Sequence, residues 1–137
     1  MNKDKIQLTN ELSLYLDSVI EIKKRIYSDL CIRYKDACRD KNLAQITRLG
    51  IQKNHTKESM KKYESLKGLL SYVLRYGVEE KFEDVKKNIK FLEREISYLK
   101  EQMDIFFHDI PEQKKQSEEA IENFESILEI LNTDKYS

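Results

Sequence analysis

Phe82, Val85, Ile89, Leu92, Ile96, Leu99, Met103, Phe106 and Ile110 stand at an unbroken 3,4,3,4 spacing. That period places all nine on one face of a helix about 43 Å long at about 1.5 Å per residue. Apolar area on this scale is driven out of water, so the stripe requires partner helices. The same stretch carries Phe91, Tyr98 and Ile105 at seven-residue steps, about 100° around the helix from Val85, Leu92, Leu99 and Phe106. One neighbour covering the main seam would leave this flank partly wet. Its aromatic residues make Phe91, Tyr98 and Ile105 the expected place where the protein meets either a partner or a second copy of itself.

The first half has a row of its own: Leu8, Leu12, Tyr15, Val19, Ile22 and Ile26. The regular step fails at Asp29, where Leu30, Tyr34 and Ala37 take over and shift the stripe around the helix. Leu16, Ile20, Tyr27 and Cys31 broaden it into a face suited to a helix between two neighbours. This helix is expected over residues 4–40. The pattern weakens at Asp40, Lys41 and Asn42, but no Gly or Pro forces a break before Gly50. Residues 43–49 are therefore predicted helical, as a tail of the first helix or as a short piece. Gly50 reads as a C-terminal stop, with Ile51 touching Ile46.

Residues 51–56 then read as a polar connection, and Thr56 as the cap of a second helix over residues 56–76. Its buried row would be Met60, Tyr63, Leu66 or Lys67, Leu70, Val73 and Leu74. Gly77 repeats the stop signal, with Val78 set to meet Val73. A third helix is expected over 79–108. Asp109-Ile110-Pro111-Glu112 predicts a tight corner at 108–110, with Asp109 as N-cap, Glu112 as its capping-box partner and Pro111 in the first turn. A fourth helix, over 110–132, would bury Ile121, Phe124, Leu128 and Leu131, leaving a frayed tail from Asn132. The expected fold is all-α, a four-helix antiparallel bundle with long coiled-coil-like helices in one domain spanning residues 1–137. Charged residues at 36% with one Pro and three Gly fit long helices and argue against β structure.

The formal net charge of zero conceals an asymmetry. Residues 1–76 hold 16 Lys and Arg against 9 Asp and Glu, whereas residues 77–137 hold 9 against 16. The basic surplus concentrates between Lys23 and Lys62, where Lys23, Lys24, Arg25, Arg33, Lys35, Arg39 and Lys41 lead a run interleaved with Tyr27, Tyr34 and Tyr63. Such a run could grip a phosphate backbone, so nucleic-acid binding is the alternative function to weigh. The acidic half opposes it by repelling the same polyanion, and the helix lengths fit no helix-turn-helix.

No segment approaches the 18 or more apolar residues of a membrane span. Asp4 and Glu11 interrupt the apolar core that a signal peptide would need, and the expectation is a cytoplasmic protein without membrane association. Cys31 and Cys38 lie seven apart on one helix, about 10.5 Å along its axis, beyond the roughly 7 Å limit for a disulfide. Two reduced, half-buried thiols suit that compartment.

Little chemistry presents itself. His55 falls in the expected connection, and His108 stands beside Asp109 without a nucleophile to serve. A carboxylate-bridged metal would need Glu-x-x-His pairs, but position 105 is Ile and position 52 is Gln. Glu118, Glu122, Glu125 and Glu129 form a regular acidic row beside the apolar row of the fourth helix, where a solvated face is expected. The three glycines are too dispersed to cradle a phosphate. These readings lead to a non-enzymatic module without cofactor or metal that binds another protein or its own second copy through helix faces. It would serve as an adaptor, a chaperone for a secreted or toxic partner, or a specific inhibitor.

Overall fold

The computed structural model describes residues 4–105 and 109–133. They form four α-helices, α1 Lys5–Arg39, α2 Leu43–Tyr76, α3 Phe82–Ile105 and α4 Pro111–Thr133, with a 3-10 turn at Glu79–Lys81 leading into α3. The fold is all-α, and no strand occurs among the described residues.

Asp4 starts α1. Its Oδ1 accepts the Gln7 amide at 2.8 Å while its carbonyl accepts that of Leu8 at 3.0 Å, the two bonds of an N-cap. The helix stops at a Schellman arrangement, in which the Asn42 amide donates to the Ala37 carbonyl at 3.0 Å and the Lys41 amide to that of Cys38 at 3.2 Å. Lys41 holds the left-handed position with φ of 55°. Asn42 then serves the next helix, its Oδ1 accepting the Gln45 amide at 3.2 Å. One short corner thus ends α1 and begins α2.

That corner corrects the expected connection. Residues 51–56 are helical, Thr56 lies within α2 rather than capping it, and Gly50 stops nothing. Glycine costs about 1 kcal/mol inside a helix, which the flanking turns of α2 can carry. The second glycine signal does mark an end: α2 finishes at Tyr76, Gly77 has φ of 79°, and its amide donates to the Val73 carbonyl at 2.9 Å. Pro111 opens α4, where it forfeits no intrahelical bond. The Lys114 amide donates to the Ile110 carbonyl at 3.0 Å and α4 begins at Pro111, so Ile110 rather than Asp109 takes the N-cap place. Phe106, Phe107 and His108 lie outside the described residues, as do the tail residues 134–137.

The chain divides into two compact units: Ser13–Lys67, here the hairpin unit, and Met1–Leu12 with Gly68–Ser137, here the terminal unit. In the terminal unit α3 packs on α4. Val85, Phe91, Leu92 and Ile96 of α3 are buried, as are Ile121, Phe124, Ile127, Ile130 and Leu131 of α4, and Leu69, Leu70 and Val73 of α2. The stripe from Phe82 to Ile110 is therefore core in its middle, but Phe82 and Ile110 at its ends are exposed. Leu128 is only half-buried. Buried Asn88 donates its Nδ2 to the Asp84 carbonyl at 2.8 Å. The hydroxyl of buried Thr9 has no hydrogen-bond partner among the described residues.

In the hairpin unit α1 and α2 run antiparallel. Asp17 pairs with Lys67, Lys23 lies over the Tyr63 ring at 5.4 Å, and Lys53 lies over the Tyr34 ring at 4.4 Å, so numbers rise along one helix as they fall along the other. The buried row of α1 here is Leu16, Ile20, Leu30 and Ala37. The expected row was displaced: Ile22 and Ile26 are exposed, and Tyr15 and Val19 are half-buried. Toward the corner the core is a small cluster of Leu30, Ala37 and Leu49, with Tyr34 and Ile46 packed against it.

Candidate functional site

On the hairpin unit an open groove of about 720 Å³ runs between α1 and α2. From α1 it takes Arg25, Ile26, Asp29, Leu30 and Arg33; from α2 it takes Ile51, Gln52, His55 and Thr56. The spacing explains the selection. Positions 25/26, 29/30 and 33 recur each turn on one face of α1, and 51/52 and 55/56 do so on α2.

Leu30, 7% exposed, lies deepest, while Ile26 at 46% and Ile51 at 66% stand open to solvent along the groove. Ile22, one turn before Ile26, extends the apolar strip and is also exposed. The rim is polar. Arg33 Nε meets Asp29 Oδ2 at 3.0 Å, an i,i+4 pair with both side chains more than half exposed, and such a pair contributes only about 0.3–0.5 kcal/mol. Arg25, Gln52 and His55 are exposed around the same opening. An apolar floor with a basic-leaning rim can take up an amphipathic segment with acidic edges.

The sequence-predicted residues fall as follows. Phe91 is 7% exposed and belongs to the terminal unit's core, whereas Tyr98 and Ile105 are 56% and 54% exposed. The three do not form one wet flank, because Phe91 turns inward with Leu92. Of the basic run, Arg25 and Arg33 share the groove. Lys23 covers Tyr63, Arg39 lies 3.4 Å from Asp36 and 3.5 Å from Asp40, and Lys41 occupies the corner. Lys23, Lys24 and Arg25 are consecutive and point in directions about 100° apart, so no single basic surface gathers them. Lys35 is exposed on α1.

Glu118, Glu122, Glu125 and Glu129 are exposed along α4, with Glu125 3.9 Å from Lys100. Among the described residues no group of three His, Cys, Asp or Glu side chains could hold a metal ion. Cys31 and Cys38 are free thiols. Among the described residues no helix is long and apolar enough to cross a membrane. Sequence reasoning missed the groove because it took Ile51 and His55 for loop. The available signal was the four-residue recurrence of 51/52 and 55/56, which continues that of α2.

Comparison with protein-family models, curated proteins and solved structures yields no match to this chain.

Proposed function

We propose that this chain is a non-enzymatic protein-binding module that receives a helical segment in the α1–α2 groove. It would act as an adaptor, a chaperone for a secreted or toxic partner, or a specific inhibitor. The observation that carries this reading is the outer part of the hairpin: between residues 22 and 60 the buried hydrophobics are Leu30, Ala37 and Leu49, while Ile22, Ile26, Ile32, Leu43 and Ile51 are exposed. A helix pair on its own buries one seam and leaves its remaining apolar face for another element. A helix laid into the groove would cover Ile26 and Ile51 in the helix-in-groove manner.

The test uses a labelled helical peptide of about three heptads, with Leu at its seam positions and Glu at its flanks, titrated into the full chain. Saturable binding that Ile26→Glu and Ile51→Glu abolish, with the melting temperature kept, supports the reading. Binding unaffected by both substitutions refutes it.

The second reading is nucleic-acid binding, favoured by the 13 Lys and Arg against 7 Asp and Glu of Ser13–Lys67. Scattered directions and the local pairing of Arg33 and Arg39 weaken it. Gel shifts at about 0.15 M salt decide between the two, since a phosphate grip shows a steep salt dependence.

A further inference from the structure

We propose that the groove's occupant is a second copy of this chain, presenting the exposed Tyr98–Ile105 face of α3. This rests on the reading of the groove as a helix-binding site and names its partner.

The argument is one of complementarity. Ser13–Lys67 carries a surplus of +6, from 13 basic and 7 acidic residues, while the terminal unit carries −6, from 12 basic and 18 acidic. Groove against groove would set two such surpluses face to face, and like charges oppose that pairing. The terminal unit supplies the opposite sign together with apolar anchors. On α3, Tyr98 and Ile105 are 56% and 54% exposed. Glu101, one turn after Tyr98, and Asp104, about 100° around the helix from Ile105, are both exposed along one edge of that apolar pair.

The groove offers Ile26 and Ile51 as apolar contacts, with Arg25 and the Asp29-paired Arg33 as cations on its rim. Apolar anchors would meet apolar anchors, and Glu101 and Asp104 would meet the arginines. Each copy owns both surfaces, so the contact joins one copy's groove to another copy's α3, and the proposal commits to its reciprocal form, a dimer.

The experiment is sedimentation equilibrium of the full chain from about 1 to 100 μM, with thermal melts alongside. The proposal expects a dimer in the wild type. Ile26→Glu and Tyr98→Glu should each weaken dimerisation at least tenfold and keep the melting temperature, since both side chains are exposed already. The decisive arm is a charge exchange. One variant carries Arg25→Glu with Arg33→Glu, and the other carries Glu101→Arg with Asp104→Arg. Each alone is expected to be monomeric, and an equimolar mixture is expected to recover a heterodimer, because reversal on both surfaces restores opposite signs.

A dimer lost in Ile26→Glu and untouched by Tyr98→Glu, with no recovery on mixing, overturns the proposal in favour of groove-to-groove pairing. A wild-type monomer throughout the range also overturns it. In that case the acidic-flanked peptide distinguishes the two claims: peptide binding that depends on Ile26 leaves the groove reading standing, whereas no peptide binding removes both.

Discussion

The two units of this chain solve the same packing problem to different extents. Among the described residues, the terminal unit buries fourteen hydrophobic side chains and exposes six large ones, while Ser13–Lys67 buries seven and exposes six. The difference follows from the number of elements that contribute. In the terminal unit the ends of α1 and α2 join α3 and α4, and side chains from all four are buried. The hairpin unit has two helices only, and two helices close one seam. Its surplus apolar surface lines a groove.

The largest effect should come from the terminal core. Leu92→Ala deletes a side chain with no exposure and is expected to cost about 2–5 kcal/mol, whereas Ile26→Ala on the groove should stay within about 0.5. Urea denaturation checks both, and equal losses would erase the contrast between the units. Next come the two left-handed residues. Gly77→Ala forces a Cβ into φ of 79° and should destabilise by about 1–2 kcal/mol. Lys41→Gly works the other way at φ of 55°: relief of about 1–2 kcal/mol, partly offset by the greater freedom of glycine in the unfolded chain, leaves a net gain of about 0.5–1.

Smaller still are the helical glycines. A Cβ at Gly68 meets nothing within 4 Å, and one at Gly50 meets Tyr34 Cε2 at an ordinary 3.5 Å. Both Ala variants should gain about 0.5–1 kcal/mol in thermal melts; a loss at Gly50 would mean that the hairpin is packed more tightly than the groove implies. The smallest effect is in the terminal unit, where Tyr72 Oη donates to Glu80 Oε2 at 2.5 Å. This hydrogen bond to the carboxylate, with minor help from desolvation and from the charges of Glu80 and Tyr76, raises the phenol above its usual pKa. The neutral phenol is favoured in the folded chain, so its small contribution is present below about pH 10 and lost as pH rises through the folded value. An ultraviolet titration should show Tyr72 ionising later in the wild type than in Glu80→Gln.

Much of the fold was legible in the sequence. The helical class follows from the 3,4 spacing, and the end of α2 follows from Gly77, whose backbone needs the left-handed region. The α1–α2 corner was not legible, because its left-handed position is taken by Lys41, a residue that rarely signals one, while Gly50 offered a false stop. The α1 seam was misplaced for a different reason: Ile22 and Ile26 continue a heptad as well as Leu16 and Ile20 do, and periodicity cannot say which row a lone partner helix will cover. Phe91 was likewise assigned to a flank that α3 turns inward. The groove draws Ile26 and Asp29 from α1 and Ile51 and His55 from α2; that juxtaposition exists only once the corner is known to be at residues 40–42.

Amide hydrogen exchange of the full chain, followed residue by residue, tests the unequal cores most directly. The account predicts that the amides of Val73, Leu92, Phe124 and Ile127 exchange only through the costliest openings, while those from Ile22 to Met60 exchange through cheaper ones. Protection around Ile26 and Ile51 should also rise with protein concentration as the groove is covered. Uniform protection across both units, unchanged by concentration, would contradict it.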